Sequence, residues 1–228
     1  PSIMNVRRAL HKMGVELYYD EFADRSIIEG LPGFGPVLQD DAVDRLWLRA
    51  EEEYKLIIGK DRFYTIVTDC ARRQVRNPVV EYLDALTWDE KPRIDNWLTT
   101  YLGVPETPYS RAVGRLVLVA AVRRAVQPGC KFDEMLILES EQGKDKSTAL
   151  KTLAVREEWF TDDLVLSDDA KRQIEQISGK WIIEAGELKG MRSRQVEFLK
   201  SFLSRQVDRA RMSYARLVRE YPRRCIII

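Results

Sequence analysis

Residues 134–150 read EMLILESEQGKDKSTAL: an apolar run (Met135, Leu136, Ile137, Leu138), a short polar loop and a Lys-Ser-Thr helix start in one unbroken line. The order is that of a P-loop, G-x-x-x-x-G-K-[ST], in which loop amides and a helix N-terminus cradle phosphates, the lysine reaches the outer phosphates and the hydroxyl holds magnesium. Ser140 and Asp145 stand where the pattern has its two glycines, while Gly143, Lys146 and Ser147 fit. The apolar run predicts a strand, and residues 147–154 predict a helix. Asp145 is a carboxylate close to where a triphosphate would lie, a repulsion that the flanking Lys144 and Lys146 offset. Asp also tolerates the left-handed backbone better than most side chains, so the turn survives without its glycine. On this reading Gln142, Gly143, Lys144, Asp145, Lys146, Ser147 and Thr148 surround ATP. Two plainer readings stay open: an ordinary helix start after a polar loop, and a degenerate loop that binds no nucleotide.

A second chemical element lies downstream. Residues 180–183, Lys-Trp-Ile-Ile, predict a short apolar strand ending on Glu184, with Glu187 one turn further. Its distance from the loop suits the acidic strand of an NTPase, where one carboxylate holds the magnesium shell and another orients the attacking water. Glu184 is assigned with Ser147 to Mg2+, and Glu187 with Lys146 to catalysis, although the two glutamates could exchange roles. Two solvent-facing glutamates after a buried strand are the plain alternative. Helices over residues 147–154 and 167–177 separate the two strands. The alternation predicts an α/β fold, a P-loop NTPase core whose parallel sheet presents ligands at the carboxyl ends of its strands.

That core is assigned to residues 109–228, after a mostly helical N-terminal region over residues 1–108. The N-terminal region is expected to hold a short helix at 6–13 and a small β-hairpin made of 15–19 and 26–29. Helices follow at 40–54, where Val43, Leu46, Trp47, Ala50 and Tyr54 form a buried stripe, and at 61–73, 79–86 and 94–102. Residues 109–126 give the longest helix, ended by Pro128 and Gly129. Trp47, Trp88 and Trp97 occupy apolar positions and read as packing residues. Residues 225–228, Cys-Ile-Ile-Ile, read as an interior strand cut off without a turn signal, so the core is expected to be truncated there and the chain to be a fragment of a longer protein.

Composition narrows the chemistry. A single histidine, His11, all but excludes Ser-His-Asp, Cys-His and multi-histidine metal mechanisms, leaving carboxylates, lysines, arginines and a metal. Cys70, Cys130 and Cys225 are odd in number and widely spaced, which fits a reduced cytoplasmic compartment and no zinc or disulfide framework. The apolar run 116–122 is far shorter than the roughly 20 residues of a membrane span, and PSIMNVRRAL has neither the apolar core nor the cleavage site of a secretory signal. Net charge is only +1, but residues 189–224 hold 11 Lys/Arg against 3 Asp/Glu, a local +8, leaving 26 against 33, or −7, for the rest. Such a segment is an electrostatic footprint for nucleic acid; a solvated helix face is the alternative. Within it, residues 195–207 predict a helix and 209–214 a strand with Arg209 and Arg211 on one side.

Beside these elements stand PVVEYL at 78–83, WDEKPRI at 88–94, RAVG at 111–114, PGCKFD at 128–133, WFTD at 159–162 and FLSR at 202–205, followed by Asp208 and Arg209. With Gln142, Gly143, the Lys-Ser-Thr of 146–148, Glu184 and Glu187, the set resembles the virulence-associated protein E family over most of the chain. The resemblance implies a phage or mobile-element ATPase related to superfamily 3 helicases, working as a ring-forming homo-oligomer and often attached to a primase. It implies that Gly143, Lys146 and Ser147 carry nucleotide and metal, and that Lys200, Arg205, Arg209 and Arg211 contact single-stranded DNA. Three functions follow for testing: an ATP-dependent DNA helicase or translocase, a nucleotide-independent DNA-binding or replication-partner module, and a small-molecule kinase. The local +8 argues against the last.

Overall fold

The computed structural model describes residues 2–141, 143–166, 169–186, 192–213 and 217–228. Chain contacts divide this mixed α/β structure into two units, Pro1–Glu81 and Tyr82–Ile228. In the first, the Ser2 hydroxyl accepts the Asn5 N–H at 3.3 Å and caps helix α1 (Ile3–Lys12). Val6, Ala9 and Leu10 on α1 are buried at the three-and-four spacing of one helix face. Strands β1 (Glu16–Asp20) and β2 (Arg25–Glu29) form the expected antiparallel hairpin, in register from Glu16 opposite Glu29 to Asp20 opposite Arg25. Its turn is built by Asp20, whose Oδ1 accepts the N–H groups of Phe22 at 2.9 Å and Ala23 at 3.0 Å. Helices α2 (Asp40–Tyr54) and α3 (Lys60–Arg73) follow, and β3 (Val75–Arg76) joins β1 in parallel. Leu46, Ala50, Phe63, Val67 and Ala71 are fully enclosed in the core these elements share, and Trp47 packs against it with Nε1 donating to the Ile58 carbonyl at 2.8 Å.

Helix α4 (Pro78–Asp84) crosses the division. The second unit continues with α5 (Trp97–Leu102) and α6 (Pro108–Val126). Thr107 and Ser110 form a reciprocal capping box at the start of α6, with Pro108 at its first position. Gly114 lets α5 and α6 approach: a Cβ there would lie 2.8 Å from Trp97 Nε1 and 3.2 Å from Leu98 Cδ1. Helices α7 (Lys146–Leu153), α8 (Ala170–Ile177) and α9 (Ser193–Leu203) follow, and α6 and α7 pack against a small parallel sheet. Its strands are β4 (Phe160–Thr161), β5 (Ile182–Ile183) and β8 (Ile226–Ile227), in the order β4-β5-β8. Strands β6 (Val207–Ala210) and β7 (Arg219–Pro222) make a separate antiparallel hairpin. Among the described residues no helix is long and apolar enough to cross a membrane.

Three expectations need correction. Residues 135–138 pair with no strand. Met135 packs against the cluster of Ile183, Phe202, Cys225 and Ile227, yet no backbone ladder joins this segment to β8, the edge strand. Ile137 is 58% exposed and none of the four is fully buried, so the apolar run marks neither a ladder nor an interior segment. The strand placed at 209–214 lies instead at Val207–Ala210, because its register is set by β7, with Asp208 opposite Tyr221 and Arg209 opposite Glu220. Trp88 is not a packing residue: it is 71% exposed, while Trp97 is 8% exposed. Trp88 stands beside a local turn in which the Asp89 carboxylate accepts both Arg93 Nη groups at 2.7 Å and the Lys91 N–H at 3.3 Å, and its own Nε1 donates to the Lys91 carbonyl at 3.4 Å.

Candidate nucleotide site

The loop before α7 bends as the sequence requires. Gly143 has φ 77° with open space where a Cβ would stand, and Asp145 takes the left-handed conformation at φ 52°, ψ 29°. Asp145 makes no side-chain cap, so it acts through its backbone alone. The chain then enters α7, whose first N–H groups have no partner within the helix and so form an anion-binding end. Lys146 folds back over the loop: Nζ donates to Ser140 Oγ at 2.7 Å, to the Glu141 carbonyl at 3.2 Å and to the Ser140 carbonyl at 3.4 Å. Lys144 lies 3.7 Å from the Glu141 carboxylate, both largely exposed, and Thr148 is exposed on the first turn.

Opposite the loop, the two-residue strand β5 delivers Glu184. Its Oε1 accepts the Ser147 hydroxyl at 2.7 Å, joining the start of α7 to the carboxyl end of the sheet across 37 residues of chain. Its second oxygen, Oε2, is buried and has no hydrogen-bond partner among the described residues. A buried carboxylate oxygen left unpaired is costly unless a cation or a donor reaches it. A hydroxyl and a carboxylate oxygen make a hard donor set of the kind Mg2+ takes, so these residues fit that ion. Gln142 and Glu187 lie outside the described residues.

The proposed DNA-contact residues are not brought to one face as free cations. Lys200 pairs with Glu197 on α9 at 2.9 Å, and Arg209 pairs with Glu220 across the hairpin at 2.6 Å. Arg205 donates to Gln173 Oε1 at 3.2 Å and lies 3.8 Å from Asp208. Arg211 is exposed beyond the end of β6. Arg223, counted in the local +8, is an interior residue: its side chain is 1% exposed, and its guanidinium holds the buried Asp208 carboxylate at 2.7 and 3.1 Å. Charge counting could not distinguish that arginine from its neighbours, and nothing in the sequence around it marks it as buried.

Two further groups escaped notice as site residues. Arg124 is 2% exposed and spans three carbonyls, Cys130 at 3.3 Å, Phe132 at 2.9 Å and Cys225 at 3.0 Å, tying the root of the 135–138 segment to the start of β8. Asp162 follows β4 at the same end of the sheet as Glu184. A strand-by-strand alignment of the sequence could have found Asp162, since both acids follow short apolar strands directly.

A search of curated proteins returned no match to the chain. A family model described as the virulence-associated protein E-like domain matches residues 83–228, well over half of the chain and nearly all of the second unit. The chain therefore belongs to the virulence-associated protein E-like family.

Proposed function

We propose that the second unit binds ATP with Mg2+ and hydrolyses it to drive work on DNA in the replication of a phage or other mobile element. The observation that carries this reading is the Ser147–Glu184 hydrogen bond, which brings the helix start and the acidic strand end to one mouth, with Lys146 beside them. The family match supports the replication setting. In the mechanism, loop amides and the α7 N-terminus hold the phosphates, and Lys146 leaves Ser140 to take an outer phosphate oxygen. Ser147 Oγ and Glu184 would hold the cation, which would supply charge neutralisation of the triphosphate. Glu184 or Glu187 orients the attacking water. Arg211 and the β6–β7 hairpin contact the DNA backbone through phosphate, a contact that weakens steeply with salt.

The test is ATP hydrolysis by the protein with single-stranded DNA, beside Lys146→Ala and Glu184→Gln. Hydrolysis lost in both variants supports the reading; parent turnover no higher than Lys146→Ala rejects it. A second reading has its own observation, the Lys146 side chain spent on Ser140 and Glu141. In that reading the loop is structural, the hairpin binds DNA or a replication partner, and DNA affinity is unchanged by ATP.

A further inference from the structure

We propose that Asp162 is a second acidic positioning residue of this site, sharing with Glu184 the hold on the water shell of the divalent cation. The inference rests on the reading of the site as an ATP site. Strands β4 and β5 run parallel, with Phe160 opposite Ile182 and Thr161 opposite Ile183. The last bond of this ladder runs from the Glu184 N–H to the Thr161 carbonyl at 2.8 Å. Asp162 and Glu184 are therefore the first residues past the paired positions on two neighbouring strands, at the same end of the sheet. The turn that follows is fixed as well: Thr161 Oγ1 accepts the Asp163 N–H at 3.2 Å, which sets Asp162 at the apex of a three-residue turn.

The electrostatics ask for a cation there. Asp162 is exposed and has no hydrogen bond or ion pair among the described residues. Glu184 spends one oxygen on Ser147 and leaves the other buried, with no hydrogen-bond partner among the described residues. Neighbouring carboxylates repel when no positive charge lies between them. Lys180, just before β5, is at the opposite end of the sheet, with Nζ donating to the Glu158 and Phe160 carbonyls, and Lys146 Nζ is held by Ser140 and Glu141. A hydrated divalent ion at the Ser147 hydroxyl would relieve both acids at once. Mg2+ keeps several of its waters, and an Asp one strand away is placed to accept from them instead of coordinating directly.

The experiment titrates Mg2+ into the protein with a fluorescent ATP analogue, and follows ATP turnover over the same series. The variants are Asp162→Asn, Asp162→Glu and, as a neighbour of equal charge, Asp163→Asn. Asp162→Asn is expected to need about 10-fold more Mg2+ for half-maximal binding and turnover, the low end of the loss typical for groups that orient metal ligands. Metal-free analogue binding should not weaken, since the lost carboxylate only repels a bare triphosphate, and Asp162→Glu should recover part of the shift. An unchanged Mg2+ dependence in Asp162→Asn overturns the inference, as does an equal shift in Asp163→Asn, which would reduce the effect to loop charge. Failure of the ATP-site reading is separately visible: the parent would then bind the analogue no better than Lys146→Ala at any Mg2+ concentration.

Discussion

Replacing Asp208 by Asn removes the anion from a pair whose side chains are 1% and 3% exposed. Arg223 Nε and Nη2 hold the two carboxylate oxygens at 2.7 and 3.1 Å, Nη1 donates to the Phe202 carbonyl, and the guanidinium centre stands 4.0 Å from the Phe202 ring centroid. Breaking such a pair from one side costs about 3–5 kcal/mol, because a buried charge loses its compensation. Asn keeps one acceptor for one guanidinium N–H, returning about 1 kcal/mol, so the net loss is about 2–4 kcal/mol. With a urea slope of about 2 kcal/mol/M, the middle of the usual range, a 3 kcal/mol loss lowers the midpoint by about 1.5 M. Tryptophan fluorescence reads the right transition, since Trp88, Trp97, Trp159 and Trp181 lie in the second unit and only Trp47 in the first. Pairing Asp208→Leu with Arg223→Met should restore most of the stability, as apolar replacement of a whole buried pair usually does. A midpoint within about 0.3 M of the parent for Asp208→Asn, or a double variant weaker than the single, would refute the assignment of this pair to the interior.

Two other outcomes follow from individual contacts. Ser140→Gly removes the 2.7 Å acceptor that holds Lys146 over the loop and supplies the first P-loop glycine; with about 1 kcal/mol of competing hydrogen bond gone, ATP-analogue affinity should rise about 5-fold, and an unchanged or weaker affinity in the same titration would show that the contact readies the lysine instead of occupying it. Tyr18 is pushed up to about 12, first by burial and then by donating its hydroxyl to Glu29 at 2.9 Å. A folded-state pKa above the unfolded value of about 10 means that its stabilisation is complete below pH 10 and is lost between pH 10 and 12. An ultraviolet titration by rapid pH jump should therefore show a late-ionising tyrosine in the parent that Tyr18→Phe removes and Glu29→Gln brings earlier; a late phase unchanged in both variants would contradict it.

The first unit was legible because its elements carry their own period. The 40–54 stripe is a helix with Val43, Leu46 and Ala50 buried, and the two alternating runs around Asp24 pair in register. What stayed hidden depends on partners distant in sequence. Arg124 sits in a helix whose sequence offers no sign of three carbonyl acceptors at 130, 132 and 225. Arg223 looked like one more cation of a basic segment until its fold partner, Asp208, lay beside it. A local charge count measures a face only when every charge is outside, and here it was not. Trp88 differs as well: it is exposed in a local turn held by Asp89 and Arg93, and hydropathy does not register such a turn.

The chemical residues at 146, 147 and 184 were all nominated from motifs, but their meeting is a property of the sheet. Strands β4, β5 and β8 contribute only two ladder positions each, and Ile182, Ile183, Ile226 and Ile227 are all at most 4% exposed. With strands this short, the residue after β4 and the residue after β5 are already at the carboxyl end of the sheet, so the register that buries the isoleucines also brings Asp162 and Glu184 to that end. Slipping β5 by one residue would exchange its two buried faces and carry Glu184 away from Ser147. Packing and placement of the acid are thus one constraint. The loop is held differently, tethered at its root by Arg124 and at its crest by Lys146 on Ser140, with no strand pairing between. A phosphate entering the α7 end would compete for Lys146 and release the crest while the root stays fixed. By this reasoning nucleotide affinity responds to changes at Ser140 and Lys146, whereas changes at the isoleucines alter the position of Glu184 and with it the metal.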